Sequence, residues 1–312
     1  MRKISVALVL VLALGGGLAS VESTAAAAVG VQQRVDTTLH TSRHTDIEIY
    51  SVAGSLRVIG WDRAEVQVTG TLGQGTEGLE FDADEDDVYI EVEVPARGQR
   101  GDQQIDRVYG SDLEIRVPIR ASLEIDSLSS SVQIVGVLGE ITINTVRGRV
   151  KVDGTPRELS VETGSGDIIV EVGSATQEID LISGSGSVEL TAHESEVSVE
   201  TVGGNITVVG RGLRDTSLDS TAGSIRFTGD LVGVNDYDFE TFNGNIMVVV
   251  PADVSATFDV STFAGGIEND FGFEPRSSER GKTGKRLEFE VGDGAADVYI
   301  KTFNGSVEIR KS

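Results

Sequence analysis

The residues of this chain best placed by type and spacing to do chemistry are acidic. Asp82, Asp84 and Asp86 alternate within Asp82-Ala83-Asp84-Glu85-Asp86-Asp87 as the first ligands of a calcium loop do, and Glu93 stands where such a loop puts its bidentate carboxylate. The glycine needed at the sharp turn is Asp87 here, and the flanks alternate like strands, so the stretch also reads as a charged hairpin turn. Glu200, Asp219 and Glu240 form a second group, recurring at one position of the repeat described below. Stacked in successive coils, their carboxylates would stand about 5 Å apart, a spacing at which like charges repel. Either a cation relieves them or the side chains splay into water. Weakly bound Ca2+ is therefore the one cofactor the sequence brings up.

Other chemistry finds no support. The three histidines, His40, His44 and His193, lack any context for a nucleophilic triad. Gly164-Ser165-Gly166 and Gly184-Ser185-Gly186 are fragments of a nucleophile elbow, but they fall in repeat turns. There is no phosphate-binding glycine loop and no His/Cys metal spacing, so no catalytic residue is expected. Cysteine is absent, which excludes disulfides and a lipidated-cysteine anchor. A net charge of −24 repels nucleic acid and anionic lipid and favours cations or basic partners, or serves solubility alone. The one basic cluster, Arg276, Arg280, Lys282, Lys285 and Arg286, reads as a solvated loop or a contact for an acidic partner.

A repeat must position these groups. Aligned on one turn residue, the frame recurs at Gly54, Ser130, Gly148, Gly166, Gly186, Gly204, Gly223, Gly244, Gly265 and Gly305. From Ser130 to Gly265 the spacings are 18, 18, 20, 18, 19, 21 and 21 residues. The gap of 76 residues before Ser130 is close to four periods, and that of 40 after Gly265 is close to two. Two residues after the anchor stands an apolar residue such as Val150, Ile168 or Ile206; five before it another, such as Ile143, Val161 or Val199. Three before it there is always Ser or Thr, from Ser51 through Thr201 to Thr302. Alternation at period two is the strand signal, and the change of parity across the anchor requires a bend. Glycine supplies that bend through its access to positive φ. The inward Ser/Thr hydroxyls should form a ladder, bonded to one another or to turn amides.

Two short strands per unit cannot bury a face alone, so the units should stack as coils of a single-stranded parallel β-helix, an all-β solenoid with 18–21-residue coils. The right-handed form is favoured because the apolar positions do not recur every six residues, although periodicity does not settle handedness. Met1-Arg2-Lys3, the apolar run to Leu14 and the small residues beyond read as a signal peptide over residues 1–28. One solenoid domain then spans 29–312: irregular coils to about 120, regular coils over about 121–268, an insertion over about 269–293 and a final coil over 294–312. Val31 to Ile49 and Trp61 are candidates for an N-terminal cap. The last coil runs almost to Ser312, which makes it either charge-protected or an edge for end-to-end self-association.

Gly60-Trp61-Asp62-Arg63 and the strand after it, followed by units such as Val161-Glu162-Thr163-Gly164-Ser165-Gly166-Asp167-Ile168, resemble the bacterial DUF4097 family of candidate adhesins. The resemblance covers about Asp46 to Ile309. It implies a β-solenoid at or beyond the cell envelope, without catalytic residues to carry over. Ser130 in place of glycine, and Asn269 at an apolar position, depart from the pattern and suggest local distortion. The leading expectation is a non-enzymatic exported protein, periplasmic or extracellular, adhesin-like or scaffolding. It would present an acidic surface to an envelope protein or glycan. A polysaccharide lyase or hydrolase is the alternative, weakened by 5% aromatic residues and few basic residues beside the acids. An envelope-stress sensor or regulator is a third possibility.

Overall fold

The computed structural model describes residues 33–84, 86–95, 109–277 and 284–312. The expected signal peptide, most of the polar stretch from Arg97 to Asp112, and Arg280 and Lys282 lie outside those residues. Among the described residues there is no α-helix, and no helix is long and apolar enough to cross a membrane. The chain is a parallel β-solenoid. Each coil has a first strand, a bend and a second strand, and strands of one kind pair in parallel along the stack. Val161, Leu181, Val199, Leu218 and Phe239 line up from the first strands, and Ile168, Val188, Ile206, Ile225 and Ile246 from the second, all buried in one continuous core.

Eleven coils stack among the described residues, and their order in space departs from their order in sequence at both ends. Coil 1 is built from Asp87–Glu93 and Ser111–Pro118, coil 2 is Asp46–Trp61 and coil 3 is Ser122–Val135. Coil 2 lies between the other two, pairing with both. The gap of 76 residues is therefore not four coils. It supplies one coil outside coil 2 and two antiparallel strands: Glu65–Leu72 covers Ser111–Pro118, and Gly78–Ala83 covers Asp87–Glu93. Gln33–His40 adds a further antiparallel strand on Glu65–Leu72. That strand belongs to the expected N-terminal cap, and the Trp61 indole donates to the Glu65 carbonyl at 2.7 Å beside it.

Coils 4 to 9 follow in sequence order, from Ile141–Arg147 with Val150–Gly154 to Asp236–Asn243 with Ile246–Val250. The chain then omits a place. Ala256–Ala264 and Ile267–Asn269 make coil 11, Lys285–Val291 folds back antiparallel over it, and Ala296–Asn304 with Val307–Lys311 enters between coils 9 and 11 as coil 10. The expected free edge on the C-terminal coil is therefore wrong. That coil is paired on both sides, and Arg310 bonds Glu268 and Asp270 of coil 11. The true end is closed by the hairpin and by Phe289 stacked on buried Phe258 at 4.7 Å.

At the bends the anchor glycines approach the coil beneath. A Cβ on Gly204 would lie 1.9 Å from the Gly186 carbonyl oxygen, and one on Gly223 would lie 1.8 Å from that of Gly204. Positive φ explains only part of the column: Gly54, Gly148, Gly166 and Gly186 adopt it, and the later anchors do not. The exposed carbonyls then serve as acceptors. Ser220 donates to Gly204, Thr241 to Gly223, Thr302 to Gly244 and Thr262 to Gly305, at 3.2, 2.9, 2.9 and 2.8 Å. The Ser/Thr ladder is buried as expected, but its main partners are turn carbonyls rather than amides or other hydroxyls. Four rungs differ among the described residues: Ser51 bonds to the Ser130 hydroxyl at 3.0 Å, where coil 3 runs through the bend as one unbroken strand, Ser127 accepts from the Ser130 amide at 3.1 Å, and the buried Thr163 and Thr201 hydroxyls have no hydrogen-bond partner.

Candidate corner groove

Beside each bend the first strand turns two positions outward, on either side of the inward Ser/Thr. Because alternate residues share a face, these positions stand about 6.6 Å apart along the strand and repeat about every 4.8 Å from coil to coil. Together they form two rows running along the solenoid. The row four before the anchor carries Asp126, Asn144, Glu162, Ile182, Glu200, Asp219 and Glu240 in coils 3 to 9. The row two before it carries Leu128, Val146, Val202, Phe242, Phe303 and Phe263, each between 41% and 61% exposed, with Gly164, Gly184 and Thr221 at the same position in coils 5, 6 and 8. Between them lies a groove of about 820 Å³ over coils 5 to 11, continued by about 640 Å³ toward coil 1; Glu162 and Gly164 line both parts.

The register places Glu200 beside Asp219 and Asp219 beside Glu240, as the repeat required. The next residue along is Lys301, brought in by the out-of-order coil, with its ammonium 2.8 Å from the Glu240 carboxylate. The cation at the head of the acidic row is thus the chain's own. Burial, more than any neighbour, pushes Asp219 above the usual carboxylate range; Glu240 adds to that and the Ser217 hydroxyl opposes it. Asp238, on the same strand as Glu240, is raised by burial first and then by Glu240 and Asp219. The hydrogen bond to Glu240 holds Lys301 up. Glu162 and Glu200 have no cationic partner among the described residues and are exposed.

The balance predicts a pH signature. An acid raised in the folded state binds protons there that the unfolded chain releases, so its penalty is complete at neutral pH and fades as pH falls through the folded pKa. Lys301→Met removes the charge that offsets this. Because the pair is more than a third exposed, the loss at pH 7 should stay below about 1 kcal/mol, and it should be smaller at pH 4, as the raised carboxyls take up protons. Urea midpoints at both pH values measure it; a deficit independent of pH would show that the charge is not the cause.

The other candidate residues do not converge. Asp82, Asp84 and Asp86 sit on the exposed hairpin joining Gly78–Ala83 to Asp87–Glu93, and the Asp82 carboxylate accepts from the Ala83 amide at 3.0 Å. Among the described residues no group of three or more His, Cys, Asp or Glu is placed to hold a metal ion. His40 is on the cap strand and His193 ends the second strand of coil 6. In the basic insertion, Lys285 and Arg286 reach the groove end, with Arg286 bonded to Asp259 at 2.7 Å. The apolar row escaped the sequence reading, although its signal was present: apolar residues at a position whose parity puts them outside.

A family model described as DUF4097, Toastrack, matches residues 44–230, which end with coil 8. A search of the curated proteins finds no match. Among solved structures, a candidate cell adhesion protein from Clostridium sporogenes ATCC 15579 is 10% identical, with 90% of this chain and 100% of that one covered and a TM-score of 0.23. A candidate adhesin from Bacteroides fragilis NCTC 9343 is 10% identical, covering 89% and 97%, with a TM-score of 0.33. Another from Parabacteroides distasonis ATCC 8503 is 11% identical, covering 91% and 98%, with a TM-score of 0.36. Likeness of that size indicates neither function nor ligand.

Proposed function

The chain belongs to the Toastrack DUF4097 family, and from that premise we propose that it is a non-enzymatic exported protein of the cell envelope, adhesin-like or scaffolding, that holds its partner in the corner groove. The observation that carries this reading is the pairing of a carboxylate row with an exposed apolar row along one open groove. Exposed apolar side chains aligned in this way mark interaction surfaces. A polysaccharide-cleaving site would instead gather carboxylates with Arg, Lys or His around one bond. Here the acids are strung along the axis and Lys301 is engaged by Glu240.

The test is co-sedimentation of the purified protein with isolated envelope fractions. Val202→Glu and Phe303→Glu, both on exposed side chains, are expected to cut retention at least fivefold without loss of fold. Retention equal to that of the unaltered protein would remove the groove from the proposal. Release of uronate from acidic polysaccharides would favour the enzymatic alternative.

A further inference from the structure

We infer that the groove takes an extended polypeptide segment in which basic and apolar side chains alternate, lying along the solenoid axis across the coils. This rests on the groove being the binding surface proposed above. Its two walls are residues two positions apart on the same strands, and they run side by side across the coils, the path that one extended segment laid over them would follow. Alternate side chains of an extended segment point to opposite sides, so one set meets each wall. Glu162 and Glu200 on one wall lack a cationic partner among the described residues, and they call for Lys or Arg. Val202 and Phe242 on the other are half exposed, and they call for apolar side chains.

The same features argue against other polymers. Phe303 stacks between Phe242 and Phe263 at 4.8 and 4.7 Å, with rings 3° and 5° from parallel. The rings cover one another's faces and turn edges outward, which leaves little face for a sugar to stack on. A row of carboxylates repels phosphate, uronate and anionic headgroups.

The probe is a fluorescent dodecapeptide of alternating Lys and Val, read by anisotropy, beside Lys-Ser and Glu-Val peptides of equal length. Lys-Val is expected to bind at least tenfold more tightly than Lys-Ser, with Glu-Val not bound. Replacing Glu162 and Glu200 together by Gln should weaken Lys-Val about tenfold. Replacing Glu171 and Glu189, outward on the second strands, should change it less than twofold. Equal binding of Lys-Val and Lys-Ser, or equal loss from both pairs of variants, would overturn the inference in favour of diffuse charge attraction. If Lys-Val does not bind while envelope retention still depends on Val202 and Phe303, the peptide inference falls and the groove reading stands. If retention ignores those variants as well, both fall.

Discussion

Alanine at Gly204 is expected to destabilise the solenoid by at least about 3 kcal/mol, while alanine one residue earlier, at Gly203, is expected to be neutral or stabilising by up to about 1 kcal/mol. The two glycines are neighbours in one turn, and neither has positive φ, so backbone strain does not separate them. On ordinary grounds both changes should stabilise, because alanine narrows the unfolded ensemble. Space decides instead. At Gly203 a Cβ meets nothing within 4 Å. At Gly204 it meets the Gly186 carbonyl oxygen at 1.9 Å and the carbonyl carbon at 2.6 Å. Backbone held on both sides by a parallel ladder cannot withdraw by the ångström or more required without breaking pairs. The shift would also disturb the Gly204 carbonyl, which accepts from Ser220. Urea unfolding of the two variants followed by circular dichroism gives the comparison. Equal stabilities would mean that the coils are more loosely stacked than these contacts require.

That column also marks how far the sequence could be read. The period, the inward Ser/Thr and the alternating core were legible because each coil repeats the same local requirement, and residues such as Val199 and Ile206 could be placed by counting from the anchor. The reason for the glycine was legible only in part, since close approach between coils is not written in either coil alone. Order along the stack was not legible at all. Coil 10 carries the same frame as coil 9, and nothing in Thr302-Phe303-Asn304-Gly305 says which neighbours it pairs with. For the same reason Lys301 could not be foreseen as the partner of Glu240, 61 residues away in the chain. Gaps counted as whole periods were misleading because antiparallel strands over coils 1 and 11 occupy chain that would otherwise form coils.

Removing residues 294–312 is expected to unfold more than it removes. Were the last coil terminal, its loss would expose one edge and leave the rest intact. As coil 10 it joins Asp236–Asn243 and Ile246–Val250 on one side to Ala256–Ala264 and Ile267–Asn269 on the other. Without it coils 9 and 11 stand two spacings apart, about 9.6 Å, and neither can pair. Coil 11 could close the gap only by docking directly on coil 9. That would set Asp259 against Asp238, which Tyr299 now separates, and like charges directly opposite are destabilising. Arg310, which bridges Glu268 and Asp270, would also be gone. Hydrogen exchange should therefore show amides of 256–269 and 285–291 losing their protection together, while coils 4 to 7 keep theirs. A synthetic peptide of residues 294–312, added in trans, should restore that protection, because the vacated place is bounded on both sides by strands in matching register. Full protection of 256–269 and 285–291 in the truncated protein without the peptide would show that coil 11 docks on coil 9 unaided. The inserted coil would then be an addition to the end of the solenoid rather than what holds it closed.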